Sequence, residues 1–142
     1  MISFINEFIL DEVQKIKMRT YYIYGGTEKK RDDYVINRIG VDEEGYLDCD
    51  LIKFEDSRWY GISCGSVCWI REFDSRTVPY REFFHIVDNH MRCFETHTGF
   101  ILNNYSTVFI TSETPAEDLY LGMKKKYRSI ILKKLNVKKL ID

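Results

Sequence analysis

Two stretches of the chain carry residue types that could do phosphate chemistry. In Val67-Cys68-Trp69-Ile70-Arg71-Glu72-Phe73 an apolar run ends abruptly in charge. Bounded by Gly65-Ser66 and Arg71-Glu72, the run reads as a short strand buried on both faces. That places Glu72 at its C-terminal edge, where the loops of an open parallel sheet line a ligand crevice. A carboxylate there can hold a metal-bound water or act as a base; taken alone, the stretch reads better as a solvated ion pair at a strand end. The second stretch runs from Thr20-Tyr21-Tyr22-Ile23-Tyr24, β-branched and aromatic, through Gly25-Gly26 into Thr27-Glu28-Lys29-Lys30-Arg31. Strand, glycine turn, Lys and helix is the order of a phosphate-binding loop, in which amides and a helix N-terminus surround the anion. The full pattern G-x-x-x-x-G-K-[ST] is not met: Glu28 stands where a Gly belongs, Lys30 stands where a magnesium-binding hydroxyl belongs, and the loop is short. By itself this is an ordinary basic turn.

The elements that would position these residues can be read from periodicity. Ile5, Phe8, Ile9, Val13 and Ile16 form one apolar stripe, which predicts an amphipathic helix over residues 3 to 17. Thr20 to Tyr24 is the first strand, and Asp32 to Arg38 is helical. A strand is expected around 50 to 54, then a turn at Arg58-Trp59-Tyr60-Gly61 that leads into the strand at Val67. A helix begins near Pro79 and ends about Asn89. Met91 to Glu95 and Gly99 to Asn103 bracket a hairpin turn, and Ser106 to Thr111 is a second buried strand. Pro115 to Tyr120 and Lys124 to Leu140 read as helices, the latter with Ile130, Ile131 and Leu135 facing the domain and Lys124, Lys125, Lys126 and Arg128 on a basic outer face.

At 142 residues and 44% hydrophobic content the chain makes one domain with a real core. A net charge of −1 gives no global pull towards nucleic acid, so such contact needs a local patch. The N-terminal residues predict no export signal and no run is long enough to span a membrane, so an intracellular location, cytoplasm or nucleus, is expected. Cys49, Cys64, Cys68 and Cys93 then read as reduced thiols. His85, His90, Cys93 and His97 lack a zinc-ligand spacing, and no metal site is assigned. Asn104-Tyr105-Ser106 matches a glycosylation acceptor, without meaning in a chain that is not exported.

In order and spacing these pieces resemble the ATPase domain of the replication-initiator (Rep) proteins of small circular single-stranded DNA viruses and plasmids, a superfamily 3 helicase domain. The segments concerned are YYIYGGTEKKR, RWYGISCGSVCWIREF and STVFITSETPAEDLY, with FITSETPAEDLY the most specific. The resemblance implies a three-layer α/β, P-loop NTPase-like domain with a central, mostly parallel sheet. It implies residues 1–142 as one unit: an N-terminal helix (1–18), an ATPase-like core (20–122) and a basic C-terminal helix (123–142). It implies ATP and magnesium as cofactors, with Gly25, Gly26, Thr27, Lys29 and Lys30 in the phosphate loop, Glu72 as the second Walker B acid, and Thr111-Ser112 opening motif C.

The departures fall on the chemistry. Arg71 replaces an acid that helps hold magnesium, Glu113 replaces the Asn that positions water or senses the γ-phosphate, and the hairpin carries Glu95-Thr96-His97-Thr98-Gly99 where the family presents Lys and glycines to DNA. The nicking endonuclease of the family has no counterpart in these residues. Losing one electrostatic contact costs about two to four kcal/mol at a transition state, so several together predict a degenerate ATPase. The expected role is a nucleic-acid-binding or assembly module, with His97, Lys124, Lys125, Lys126 and Arg128 as nucleic-acid contacts. The alternatives are an active oligomeric helicase acting in replication and a structural subunit of a larger complex.

Overall fold

The computed structural model describes residues 19–88 and 91–141, so the helix expected over 1–18 and His90 lie outside the described residues. Strands β1 (Arg19–Gly25), β2 (Asp50–Glu55), β3 (Arg58–Tyr60), β4 (Val67–Ile70), β5 (Arg92–Thr96), β6 (Gly99–Asn103), β7 (Thr107–Ser112) and β8 (Asn136–Leu140) form one sheet in the order β6-β5-β3-β2-β4-β7-β1-β8. Pairing is parallel throughout β2-β4-β7-β1-β8. Among the described strands, only the β2–β3 and β5–β6 hairpins are antiparallel. The mixed α/β class and the mostly parallel sheet are as the sequence predicts.

Alternation along the three central strands fills two cores. Tyr22, Cys68, Ile70, Val108 and Ile110 belong to one buried cluster, while Ile23, Trp69 and Phe109 belong to another. Successive strand residues point to opposite faces, so the clusters lie on the two sides of the sheet. Helix α1 (Glu28–Ile39) adds Val35 to the second cluster. Helix α2 (Tyr80–Val87) adds Phe83, Ile86 and Val87 to the first, and α3 (Lys125–Lys134) adds Ile131. Among the described residues no helix is long and apolar enough to cross a membrane.

Four expectations are corrected. Arg58 to Tyr60 is not a turn but strand β3; the turn falls at Asp56-Ser57, with φ of 51° and 64°, the left-handed pair that a tight hairpin needs. Trp59 is then buried opposite Phe54, its indole N–H donating to Glu82 at 2.8 Å. Pro115 to Tyr120 yields only a 3-10 turn at Ala116–Asp118. The C-terminal segment is not one helix: α3 stops at Lys134 and β8 adds itself to the open edge of β1. Ile131 is buried and Leu135 packs on the core as expected, but Ile130 is exposed.

The thiols are free and differ sharply in access. Cys64 and Cys93 are exposed, Cys68 is buried, and burial with Asp50 and Asp48 nearby pushes the half-buried Cys49 up to about 11. Since only thiolates react quickly, brief alkylation of the native protein near pH 7.5 should modify Cys64 and Cys93 and spare Cys49 and Cys68. Peptide mass mapping checks this; early loss of the Cys68 thiol would contradict the packing of β4.

Candidate functional site

Parallel pairing of β1, β7 and β4 brings Gly25-Gly26, Ser112-Glu113 and Arg71-Glu72 to the same carboxyl edge, with β7 between the other two. Thr27 caps α1, its hydroxyl accepting the Lys30 N–H at 3.2 Å. Side chains in the first turn of a helix lean back towards its N-terminus. The residue that uses this lean is Arg31, which is only 3% exposed. Its Nη1 donates to the carbonyl oxygens of Gly25 (3.1 Å) and Gly26 (2.9 Å). Nε and Nη2 donate to the two carboxylate oxygens of Glu72, at 3.1 and 3.2 Å. One guanidinium thereby ties the glycine turn to the end of β4, the fork geometry that Arg offers and Lys lacks.

Glu72 is held from its other side as well. Its backbone sits at φ 51°, a left-handed conformation costly for a residue with a Cβ, and its N–H donates to Thr111 Oγ1 at 3.2 Å. The same hydroxyl accepts the Trp69 indole N–H at 3.1 Å, and Ser112 Oγ donates to the Phe73 carbonyl at 2.7 Å. Thr111 and Ser112, expected to meet nucleotide, are fully buried and spend their hydroxyls fixing the exit of β4. Arg71 leaves that strand towards α1, where it meets Asp32 at 2.6 and 3.1 Å and Glu28 at 3.2 Å.

The expected phosphate lysines stand elsewhere. Lys29, highly exposed, pairs with Asp33 one turn along α1 at 3.1 Å, and Lys30 Nζ donates to the Ile141 carbonyl at 3.0 Å. Gly25 and Gly26 also have a reason of their own to be glycine. A Cβ on Gly25 would lie 2.5 Å from the Leu140 carbonyl oxygen of β8, and one on Gly26 3.3 Å from the Leu140 Cβ. In front of this edge is a cavity of about 250 Å³ whose walls include Glu28, Glu72, Asp74 and Glu113. Its lining cation Arg76 is bonded to Asp74 at 2.8 Å, which holds that carboxyl below its ordinary value.

Charge decides what such a cavity can take. A triphosphate would find the guanidinium groups of Arg31, Arg71 and Arg76 already paired with Glu72, Glu28 and Asp74, and would meet the further negative charge of Glu113. The side chains present do not fit a magnesium nucleotide. Among the described residues no group of three or more His, Cys, Asp or Glu is arranged to hold a metal ion.

Of the basic and aromatic residues, Lys53 and Tyr60 line a cavity together with Arg71, next to this edge. His97, at the β5–β6 turn, stacks on Tyr60 with ring centroids 4.7 Å apart, and Lys53 Nζ stands 5.7 Å from the same ring. Lys124, Lys125 and Lys126 are exposed at the start of α3, as predicted. Arg128 is not on that outer face: Nε donates to the Leu119 carbonyl at 3.1 Å and Nη2 to the Glu117 carbonyl, so it anchors the 3-10 turn. Sequence reasoning passed over Arg31 and the Tyr60–His97 stack. Arg31 was legible as the residue one turn after an N-cap, whereas the stack joins residues far apart in the chain. No protein family and no curated protein matches this sequence.

Proposed function

We propose that this chain is a helicase-like α/β domain of the Rep type whose nucleotide site is closed from within, and that it acts as a binding module for single-stranded nucleic acid. The observation that carries the reading is the Arg31 guanidinium, bonded at once to both glycine carbonyls and to Glu72. It takes the place of a ligand between the turn and the acidic strand. The juxtaposition of Gly25-Gly26, Glu72 and Ser112-Glu113 at one edge supports the derivation from a three-layer P-loop domain. The four carboxylates of the cavity support loss of turnover.

The nucleic-acid half of the reading is supported by the stacked Tyr60–His97 pair beside Lys53, and by Lys124 to Lys126. Aromatic faces stack bases without regard to sequence, and lysines neutralise phosphates. Titration with a fluorescent ATP analogue and magnesium should give no saturable signal, and phosphate release should stay at background in the parent chain and in Lys29→Ala alike. Anisotropy with a labelled oligodeoxythymidine should show weak binding whose log-log salt slope falls by about two when Lys124, Lys125 and Lys126 are changed together to Gln. Magnesium-dependent turnover abolished by Lys29→Ala would restore the active helicase. Absence of oligonucleotide binding at low salt would leave the structural-subunit reading.

A further inference from the structure

The two outer strands of the sheet treat their free edges in opposite ways. β8 carries Lys138 and Lys139, both exposed. β6, at the far end, is Gly99-Phe100-Ile101-Leu102-Asn103, with no charged residue and no proline. Phe100 is 73% exposed and Leu102 66% exposed. Its register with β5 runs without a bulge from Arg92↔Asn103 to Thr96↔Gly99. Edge strands are ordinarily blunted by charge, proline or a bulge, because a row of free N–H and C=O groups invites another strand. Lysines stand on β8, and none of these devices is present on β6.

The geometry points to β6 as a self-pairing edge: two copies of this chain join antiparallel across a two-fold axis at Ile101, continuing the sheet from one molecule into the other. The register follows from the hairpin. The His97-Thr98 turn closes on the pair Thr96–Gly99, and hydrogen-bonded and non-hydrogen-bonded pairs alternate along an antiparallel ladder. Gly99, Ile101 and Asn103 therefore turn their main-chain groups towards β5, while Phe100 and Leu102 turn theirs to the free edge. With Ile101 opposite Ile101 of the second copy, Phe100 of each chain falls opposite Leu102 of the other, and all the outward N–H and C=O groups of these residues are satisfied. A register shifted by one residue would set inward-bonded groups against outward ones.

The side chains select a second copy over an unrelated peptide. Phe100 and Leu102 lie on the same face, opposite Glu95 and Cys93. In the two-fold arrangement each finds an apolar cross-strand neighbour supplied by the same five residues, an aromatic–aliphatic pair on either side of the axis. Such an interface closes on itself and leaves no further β6 edge exposed. It is independent of whether nucleotide or nucleic acid binds.

Sedimentation equilibrium of the full chain should show a reversible monomer–dimer system. Leu102→Lys or Phe100→Lys, at exposed positions that leave the circular dichroism unchanged, should weaken it about tenfold or more, as edge lysines do. A second arm places Ile101→Cys in a Cys64→Ser, Cys93→Ser background. The central non-hydrogen-bonded pair has a Cα separation of about 4.5 Å, within disulfide range, so mild oxidation should yield a covalent dimer absent from the background alone. A chain that stays monomeric at all accessible concentrations, a dimer indifferent to both lysine variants, open-ended aggregation, or failure of Ile101→Cys to crosslink would overturn the assignment.

Discussion

Arg31→Met should destabilise the folded domain by about 3 kcal/mol, the cost typical of removing one partner from a buried ion pair. Methionine keeps much of the stem, so the loss falls on the guanidinium and its bonds to Gly25, Gly26 and Glu72. The figure sits at the low end of the range because the Glu72 side chain is 29% exposed and water can reach it once Arg31 is gone. In a chain of 142 residues this corresponds to a fall in Tm of roughly 10 °C. Lys29→Ala, two residues earlier on the same helix, removes only an exposed pair with Asp33 and should cost below about 0.5 kcal/mol. Urea unfolding of the two variants separates the readings cleanly. If Lys29 were the buried ligand-facing cation, the order of the two effects would be reversed.

That contrast also marks what was legible in the residues and what was not. Strands β1, β4 and β7 are runs buried on both faces, so composition alone identifies them, and parallel order places their ends together. The role of Arg31 was missed because a motif comparison assigns the cation by spacing from the glycines, whereas geometry assigns it by the direction in which a first-turn side chain leans. Asn136 to Leu140 reads as helix because its lysines and leucine continue the composition of α3. Its strand conformation is imposed by the unpaired edge of β1, more than a hundred residues earlier, and a non-local partner of this kind overrides local propensity. Trp59 and Tyr60 read as a turn because glycine follows them, yet the turn formed two residues earlier, at Asp56-Ser57, where polar side chains accept left-handed angles.

The glycine turn offers the sharpest distinction between a ligand-binding loop and a packing constraint. If Gly25 were glycine to let backbone approach a phosphate, Gly25→Ala would impair binding and leave the empty protein almost unchanged. The geometry requires the opposite. At φ +83° an alanine carries a left-handed penalty of about 1–2 kcal/mol. Its Cβ would also meet the Leu140 carbonyl oxygen at 2.5 Å, a contact that only a shift of the β8 backbone can relieve. Leu140 pairs with Gly25 at the end of the β1–β8 ladder, so the shift would start there and unzip towards Asn136. Gly25→Ala should therefore cost about 2–4 kcal/mol with no ligand present, adding the conformational penalty to lost ladder contacts. Gly26→Ala, at φ +61° and 3.3 Å from the Leu140 Cβ, a milder contact that a small shift of β8 relieves, should cost less, about 1–2 kcal/mol. Hydrogen exchange gives the test beyond stability alone: protection should fall first in Asn136 to Leu140, while the amides of β4 and β7 keep theirs. Equal loss across all the central strands would show that the turn supports the sheet as a whole, and an unchanged β8 would show that Leu140 does not set the requirement for glycine.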